Sequence, residues 1–192
     1  MPELLGEVAR LQVHRSAVKA DEVYDPAPLV SVGLASFDTG GMLGWDGSAW
    51  LVDNHHASYP GSGESIRRAV SIGFTSHYDA MYRRFGERVT PGIAAENIIV
   101  ETGSLIPLDR IAGGIEIHTA DGERLAFGDP LVAAPCREFT SCLLGLPRRA
   151  EREEIADDLE FLGDGMRGFV FGCQTVVQPV RVAVGDRVYV SD

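Results

Sequence analysis

"GIEIHTADGERLAFG", residues 114–128, reads as a β-hairpin, and that reading sets the class of the fold. Ile115 and Ile117 alternate with polar residues on the way in, and Leu125 and Phe127 do the same on the way out. Asp121-Gly122 supplies the tight turn between them. A period of two with one apolar face describes a strand half-buried against a core. The pattern recurs on both sides. Downstream, "DPLVAAPC" (129–136) reads as the next strand, ending at Pro135-Cys136. "RGFVFGCQTV" (167–176) and "RVAVGDRVYV" (181–190) close the chain as strands, with a turn at Gly185-Asp186. Upstream, "GEVARLQVHR" (6–15), "PLVSVGLASF" (28–37), "RRAVSIGF" (67–74) and the end of "PGIAAENIIVETG" (91–103) read as strands too.

Helices are few. "TSHYDAMYRRFG" (75–86) is expected as a short one, capped by Ser76, with Asp79 in its first turn and Gly86 at its end. Tyr78, Met81, Tyr82 and Phe85 would form its apolar face. "REFTSCLLG" (137–145) carries one or two helical turns. "PRRAEREEIADDLEFLGDG" (147–165) is a charged helix with Ile155, Leu159 and Leu162 on one side. Residues 38–65 are dense in Gly, Ser, Asp and His and read as one long binding loop, with Trp45 and Trp50 anchoring it. Strands dominate and helices are interspersed. The expected class is mainly β (α+β), a strand-rich β-barrel with a few helices, as a single domain over residues 1–192.

The bulk numbers narrow the function. A chain of 192 residues, 45% hydrophobic and 23% charged, is an ordinary globular composition. A net charge of −11 argues against nucleic acid and anionic membranes as partners. The N-terminal stretch carries Glu3 and Glu7 without a long apolar run, so no secretory signal is read there. No stretch is apolar for long enough to span a membrane. A cytoplasmic location is expected, where thiols stay reduced. Cys136, Cys142 and Cys173 form no C-x-x-C pair, which argues against structural zinc of the usual kind.

Cys136 therefore asks for another explanation. It follows a strand and Pro135 and precedes Arg137, which is how a thiolate is presented and charge-stabilised. A buried, inert thiol is the other reading, and from the residues alone both stay open. Cys142 and Cys173 lie in apolar stretches and read as core.

The ordered set "GEVARLQV", "GIAAENIIV", "LAFGDPLV", "APC", "RGFVFG" and "VAVGDRVYV" resembles the MOSC domain, found at the C-terminus of molybdenum cofactor sulfurases and in small stand-alone bacterial proteins. The resemblance runs from Gly6 to Val190. It implies a strand-rich barrel around a cleft. It implies that Cys136 is the family's cysteine, a molybdenum ligand or sulfur carrier. Glu96 and Asn97 match the family's Glu-Asn pair, and Arg167-Gly168 its late arginine-glycine. "DNHHASYPGSG" stands where the family has His-Gly-Gly, keeping His55 and His56 without the adjacent glycines. His55, His56, Arg67, Arg68, Asn97, Arg137 and Arg167 are the candidate cofactor-binding residues, with Cys136 both catalytic residue and metal ligand. The implied cofactor is the molybdenum cofactor (molybdopterin); pyridoxal phosphate binding is a further family association. The implied chemistry is oxygen-atom transfer that reduces an N-hydroxylated small molecule, with electrons from a partner protein. Two other functions stand beside it: a persulfide carrier fed by a sulfur-donor protein, and a non-catalytic cofactor-binding module.

Overall fold

The computed structural model describes residues 2–60, 69–173 and 176–191. Strand β1, Leu4–His14, is the spine. It is long enough to serve three partners along its length. Leu4–Glu7 pair with β15 (Arg187–Val190), Val8–Leu11 with β9 (Ile98–Val100), and Leu11–His14 with β4 (Leu29–Val32). The large sheet runs β11-β10-β15-β1-β9-β8-β13-β12, with β4 added on β1. Here β8 is Val70–Phe74, β10 Ile115–His118, β11 Arg124–Phe127, β12 Leu131–Val132 and β13 Phe169–Phe171. All its pairings are antiparallel except β8 with β9. A parallel pair needs a crossover, and helix α1, Thr75–Phe85, supplies it. A second sheet has the order β14-β5-β6-β7, with β5 Leu34–Asp38, β6 Gly41–Trp45, β7 Trp50–Val52 and β14 Val180–Ala183. A two-stranded ribbon, β2 (Lys19–Ala20) and β3 (Val23–Tyr24), completes the strands.

The hairpin over 114–128 forms in the expected register, Ile115 opposite Phe127 and Ile117 opposite Leu125, and all four are buried. The fold is mainly β (α+β), as expected. The expected barrel is not closed by hydrogen bonds: among the described residues no ladder joins β11 to β12 at the ends of the large sheet.

Two cores flank that sheet. One lies between the two sheets and holds Leu11, Val13, Phe37, Met42, Ile72, Phe74, Phe127, Phe169 and Phe171. The other lies under the helices and holds Tyr24, Tyr78, Met81, Phe85, Ile99, Phe139, Leu143 and Leu162. β9 shows how both are filled. Ile98 and Val100 point into the first core and Ile99 into the second. A strand buried on both faces reads as a continuous apolar run rather than an alternating one.

Several local expectations change. Residues 38–65 are not one loop, because β6 and β7 form a hairpin in which Trp45 pairs with Trp50, ring centroids 5.5 Å apart. Gly44 hid the strand from a propensity reading. A Cβ there would sit 2.7 Å from Val13 Cγ1, so only glycine lets β6 lie against β1. "PLVSVGLASF" is two strands, not one: the chain changes sheets at Gly33, between β4 and β5. The strand expected over 129–136 stops at Val132.

Ser76 does not cap α1. Its hydroxyl bonds the Thr102 hydroxyl and the Ser104 carbonyl, both at 2.8 Å, and the helix starts one residue earlier, which leaves Asp79 beyond the first turn. Tyr82 is 52% exposed and off the apolar face, while Tyr78, Met81 and Phe85 are buried. Gly86 ends α1 with φ +70, as expected of a C-cap glycine. Helix α2 is Arg137–Leu143. The charged helix is shorter than its pattern. A single 3-10 turn at Glu153–Ile155 leads into α3, Ala156–Phe161, and Arg149 upstream makes ion pairs with Glu22 and Glu138. Ile155, Leu159 and Leu162 are buried as expected. Among the described residues no helix is long and apolar enough to cross a membrane.

Candidate functional site

A cleft of about 620 Å³ opens where β1, β8 and β13 meet the turn before β9. Its walls include His14, Lys19, Asn54, His55, Ser71, Glu96, Asn97, Ala133, Ala134 and Arg167. His14 is the last residue of β1; Ser71 lies on β8. Ala133 and Ala134 follow β12 without a ladder of their own, though the Ala133 N–H still reaches the Gly168 carbonyl.

The floor is Asn97. It is buried, and all its side-chain hydrogen-bonding capacity is committed. Its Oδ1 accepts from Ser71 N–H at 3.0 Å and Ser71 Oγ at 3.1 Å. Its Nδ2 donates to the Gln12 carbonyl at 3.3 Å and to Asp53 Oδ2 at 2.9 Å. One amide thus ties β1, β8 and the segment after β7 together beneath the cleft. Glu96 beside it is buried and accepts from the Tyr78 hydroxyl at 2.5 Å. Burial raises its carboxyl from the usual 4.5 to about 7, against the opposing Tyr78 hydrogen bond and the Arg167 charge. Gly73 makes room for it: a Cβ there would lie 2.4 Å from Glu96 Oε1.

Arg167 forms the opposite wall. Its Nη1 donates to the Ala134 carbonyl at 2.9 Å, its Nη2 to the Ala94 carbonyl at 3.3 Å, and its guanidinium sits 4.5 Å from the Phe139 ring centroid. Among the described residues its buried Nε has no partner. Gly168 follows with φ +81, and a Cβ there would lie 2.2 Å from the Ile72 carbonyl oxygen, which is why glycine stands after the arginine. Cys136 Sγ lies 3.7 Å from Arg167 Nη1. Cys136 is half-buried at the N-cap of α2, packs against the second core, and is not itself among the residues lining the cleft.

The other candidates divide. His55 and Asn97 share the cleft with Arg167. His56 does not reach it. It is buried, with Nε2 3.1 Å from Asp38 Oδ1 and Nδ1 accepting from the Ser58 hydroxyl at 2.7 Å, so it folds its own segment. Arg137 points away, donating to the Ala150 carbonyl at 2.8 Å and to Glu151 at 2.9 Å. Arg67 and Arg68 lie outside the described residues. All three cysteines are free. Cys142 faces a separate, smaller pocket with Glu22, Tyr24, Arg88 and Glu138. Cys173 is fully buried, and burial pushes its thiol up to about 12.

No family model matches the sequence, and no curated protein matches it. Solved structures do. The YuaD protein from Bacillus subtilis matches over 96% of this chain and 94% of its own, at 17% identity and a TM-score of 0.55. YiiM from Geobacillus stearothermophilus matches over 97% of this chain and 75% of its own, at 15% identity and a TM-score of 0.50. YiiM from Escherichia coli matches over 85% and 65%, at 14% identity and a TM-score of 0.50.

The chain shares its fold with these proteins, and the likeness is consistent with a MOSC-like fold. Likeness at these identities speaks for the fold alone. The sheet also brings to the cleft residues that the sequence reading did not select, His14, Lys19 and Asn54, and sets Asp53 beneath it through Asn97. Asp53 carried one usable signal, an acid directly after the apolar run Trp50–Val52. His14 carried none, since a histidine ending a strand is most often a surface residue.

Proposed function

We propose that the cleft holds the molybdenum cofactor, with the Cys136 thiolate as the protein's ligand to the metal. The observation that carries the reading is Arg167. It lines the cleft with its charge 3.7 Å from the Cys136 sulfur, and among the described residues its buried Nε–H finds no acceptor. A buried donor without a partner is rare and points to a missing acceptor. The donor chemistry fits the group: a soft thiolate suits molybdenum, and Arg167 with Lys19 would hold an anionic phosphate against the protein's overall negative charge. When bound, the cofactor supplies oxygen-atom transfer, and we assign it to the reduction of an N-hydroxylated compound with electrons from a partner protein. The chain's own residues do the rest. Asn97 fixes the floor, Arg167 orients the anionic group and sets a positive charge beside the sulfur, and Glu96 holds a proton near neutral pH.

The test is molybdenum content and the visible spectrum of protein made in a cofactor-competent host. Stoichiometric metal is expected in the wild type, and its loss in Cys136→Ser. Wild-type protein without metal under those conditions would overturn the reading. A Cys136 adduct of about 32 Da by mass spectrometry, one added sulfur, would replace it with the persulfide carrier. That alternative is favoured by the sulfur standing behind Arg167 rather than among the cleft-lining groups.

A further inference from the structure

We propose that His14, Asp53 and His55 form a site for a divalent first-row cation, of which Zn²⁺ is the natural probe. The site goes beyond the cofactor reading and requires neither Cys136 nor a pterin.

The geometry comes first. His14 Nδ1 and His55 Nδ1 are 3.2 Å apart, and His55 Nδ1 is 3.1 Å from Asp53 Oδ1. His14 Nδ1 is 3.9 Å from Asp53 Oδ2. All three donors lie within 4.8 Å of one another. A tetrahedral ion with bonds of about 2.0–2.2 Å sets its donors about 3.3–3.6 Å apart; the two edges at His55 Nδ1, 3.2 and 3.1 Å, lie near that, and the third is within 4.8 Å. Two histidines and a carboxylate, with a fourth position left open, is a donor set that zinc and its neighbours accept.

The hydrogen bonding is short of protons. His55 Nδ1 can carry one hydrogen, and it faces two acceptors, Asp53 Oδ1 and the ring nitrogen of His14. A cation would satisfy all three lone pairs together. His77 shows how a buried histidine in this protein is satisfied without metal: its Nδ1 is 3.1 Å from the Gly165 carbonyl, and its Nε2 accepts from Ile106 N–H at 3.0 Å. His14 is as deeply buried, 2% exposed, yet its Nδ1 faces the His55 ring nitrogen rather than a backbone group.

The surroundings are those of a held ligand set. Asp53 is fully buried. Its Oδ2 accepts from His14 N–H at 2.8 Å and from Asn97 Nδ2 at 2.9 Å, which fixes the carboxylate plane, while Oδ1 takes His55 N–H at 2.9 Å and faces the rings. Outer partners of this kind orient ligands and strengthen their hold on a metal. Access is open on one side: His55 is half exposed, and both histidines line the cleft.

The experiment uses the full chain, stripped with a chelator and titrated with Zn²⁺ by calorimetry and with Co²⁺ by visible absorption. One equivalent of Zn²⁺ is expected, and Co²⁺ should give the bands of a tetrahedral nitrogen–oxygen site. His55→Ala, at an accessible position, should weaken Zn²⁺ binding at least about tenfold. His14→Gln should do the same if it folds; if it does not, His55→Ala and the Co²⁺ spectrum decide. Cys136→Ser should leave Zn²⁺ affinity unchanged while removing molybdenum, so the two readings fail separately. The proposal is overturned by folded wild type that takes up no stoichiometric Zn²⁺, by binding that survives His55→Ala, or by binding lost in Cys136→Ser. A thiolate-to-cobalt charge-transfer band would overturn it equally.

Discussion

The guanidinium of Arg167 lies 3.7 Å from the sulfur of Cys136. The same group donates to the carbonyls of Ala134 and Ala94 and covers the Phe139 ring. It joins the segment carrying the cysteine to the turn before β9. Replacing Arg167 by Met strands two carbonyls, and we expect a loss of about 2–3 kcal/mol in urea unfolding. Arg167→Lys restores the charge but not the two-pronged donor, and should recover only part of the stability. If Arg167→Met unfolded at the wild-type midpoint, the bridging role would be wrong.

Asn97 is held as an amide because it must donate on one side and accept on the other. Asn97→Asp would set a second carboxylate against Asp53 and discard the donors to Asp53 and the Gln12 carbonyl. Destabilisation of about 3 kcal/mol or more is expected at neutral pH. Chemical denaturation of the two proteins at pH 7 checks it, and equal stability would remove Asn97 as the floor of the cleft.

Glu96 makes a signed pH prediction. Its folded value is raised by burial from 4.5 to about 7, with Tyr78 and Arg167 opposing. Below the unfolded value the carboxyl is protonated in both states, and nothing is lost. Between the two values the folded protein keeps a proton that the unfolded chain has released, so stability falls as pH rises. Above the folded value the full cost applies, about 3 kcal/mol. Glu96→Gln keeps an acceptor for the Tyr78 hydroxyl and removes the charge. It should be more stable than wild type at pH 8 and should differ little at pH 4. Parallel stability curves across that range would contradict the assignment.

The cysteines should label in two classes. Cys136 and Cys142 are half-buried, whereas Cys173 is fully buried and its thiol is pushed up to about 12. In native protein, iodoacetamide should modify the first two and spare the third; in denaturant all three should react. Mass mapping of native-state adducts decides it, and labelled Cys173 under native conditions would contradict its place in the core.

The hairpin over 114–128 was legible because it is local: alternation and an Asp-Gly turn determine it without outside help. So was the apolar side of α3, where Ile155, Leu159 and Leu162 recur at helical spacing and are buried. The hairpin of β6 and β7 was hidden by Gly44, whose value lies in Val13 pressing against it from another strand. Ser76 has the composition of a cap, but Thr102 and Ser104 take its hydroxyl instead.

The sequence by itself determined the strand-rich class, the strongest hairpin and the ordered motifs that resemble a MOSC domain. Each rests on spacing within a few residues or on composition. Tertiary structure alone decided which side chains meet. His14 and Asp53 are 39 residues apart and joined by the His14 N–H; Arg167 and Cys136 are 31 apart. His55 and His56 are adjacent, yet one faces the cleft and the other closes its own segment. Such meetings are fixed by strand register and by the point where the chain changes sheets, and both depend on the whole core being formed at once.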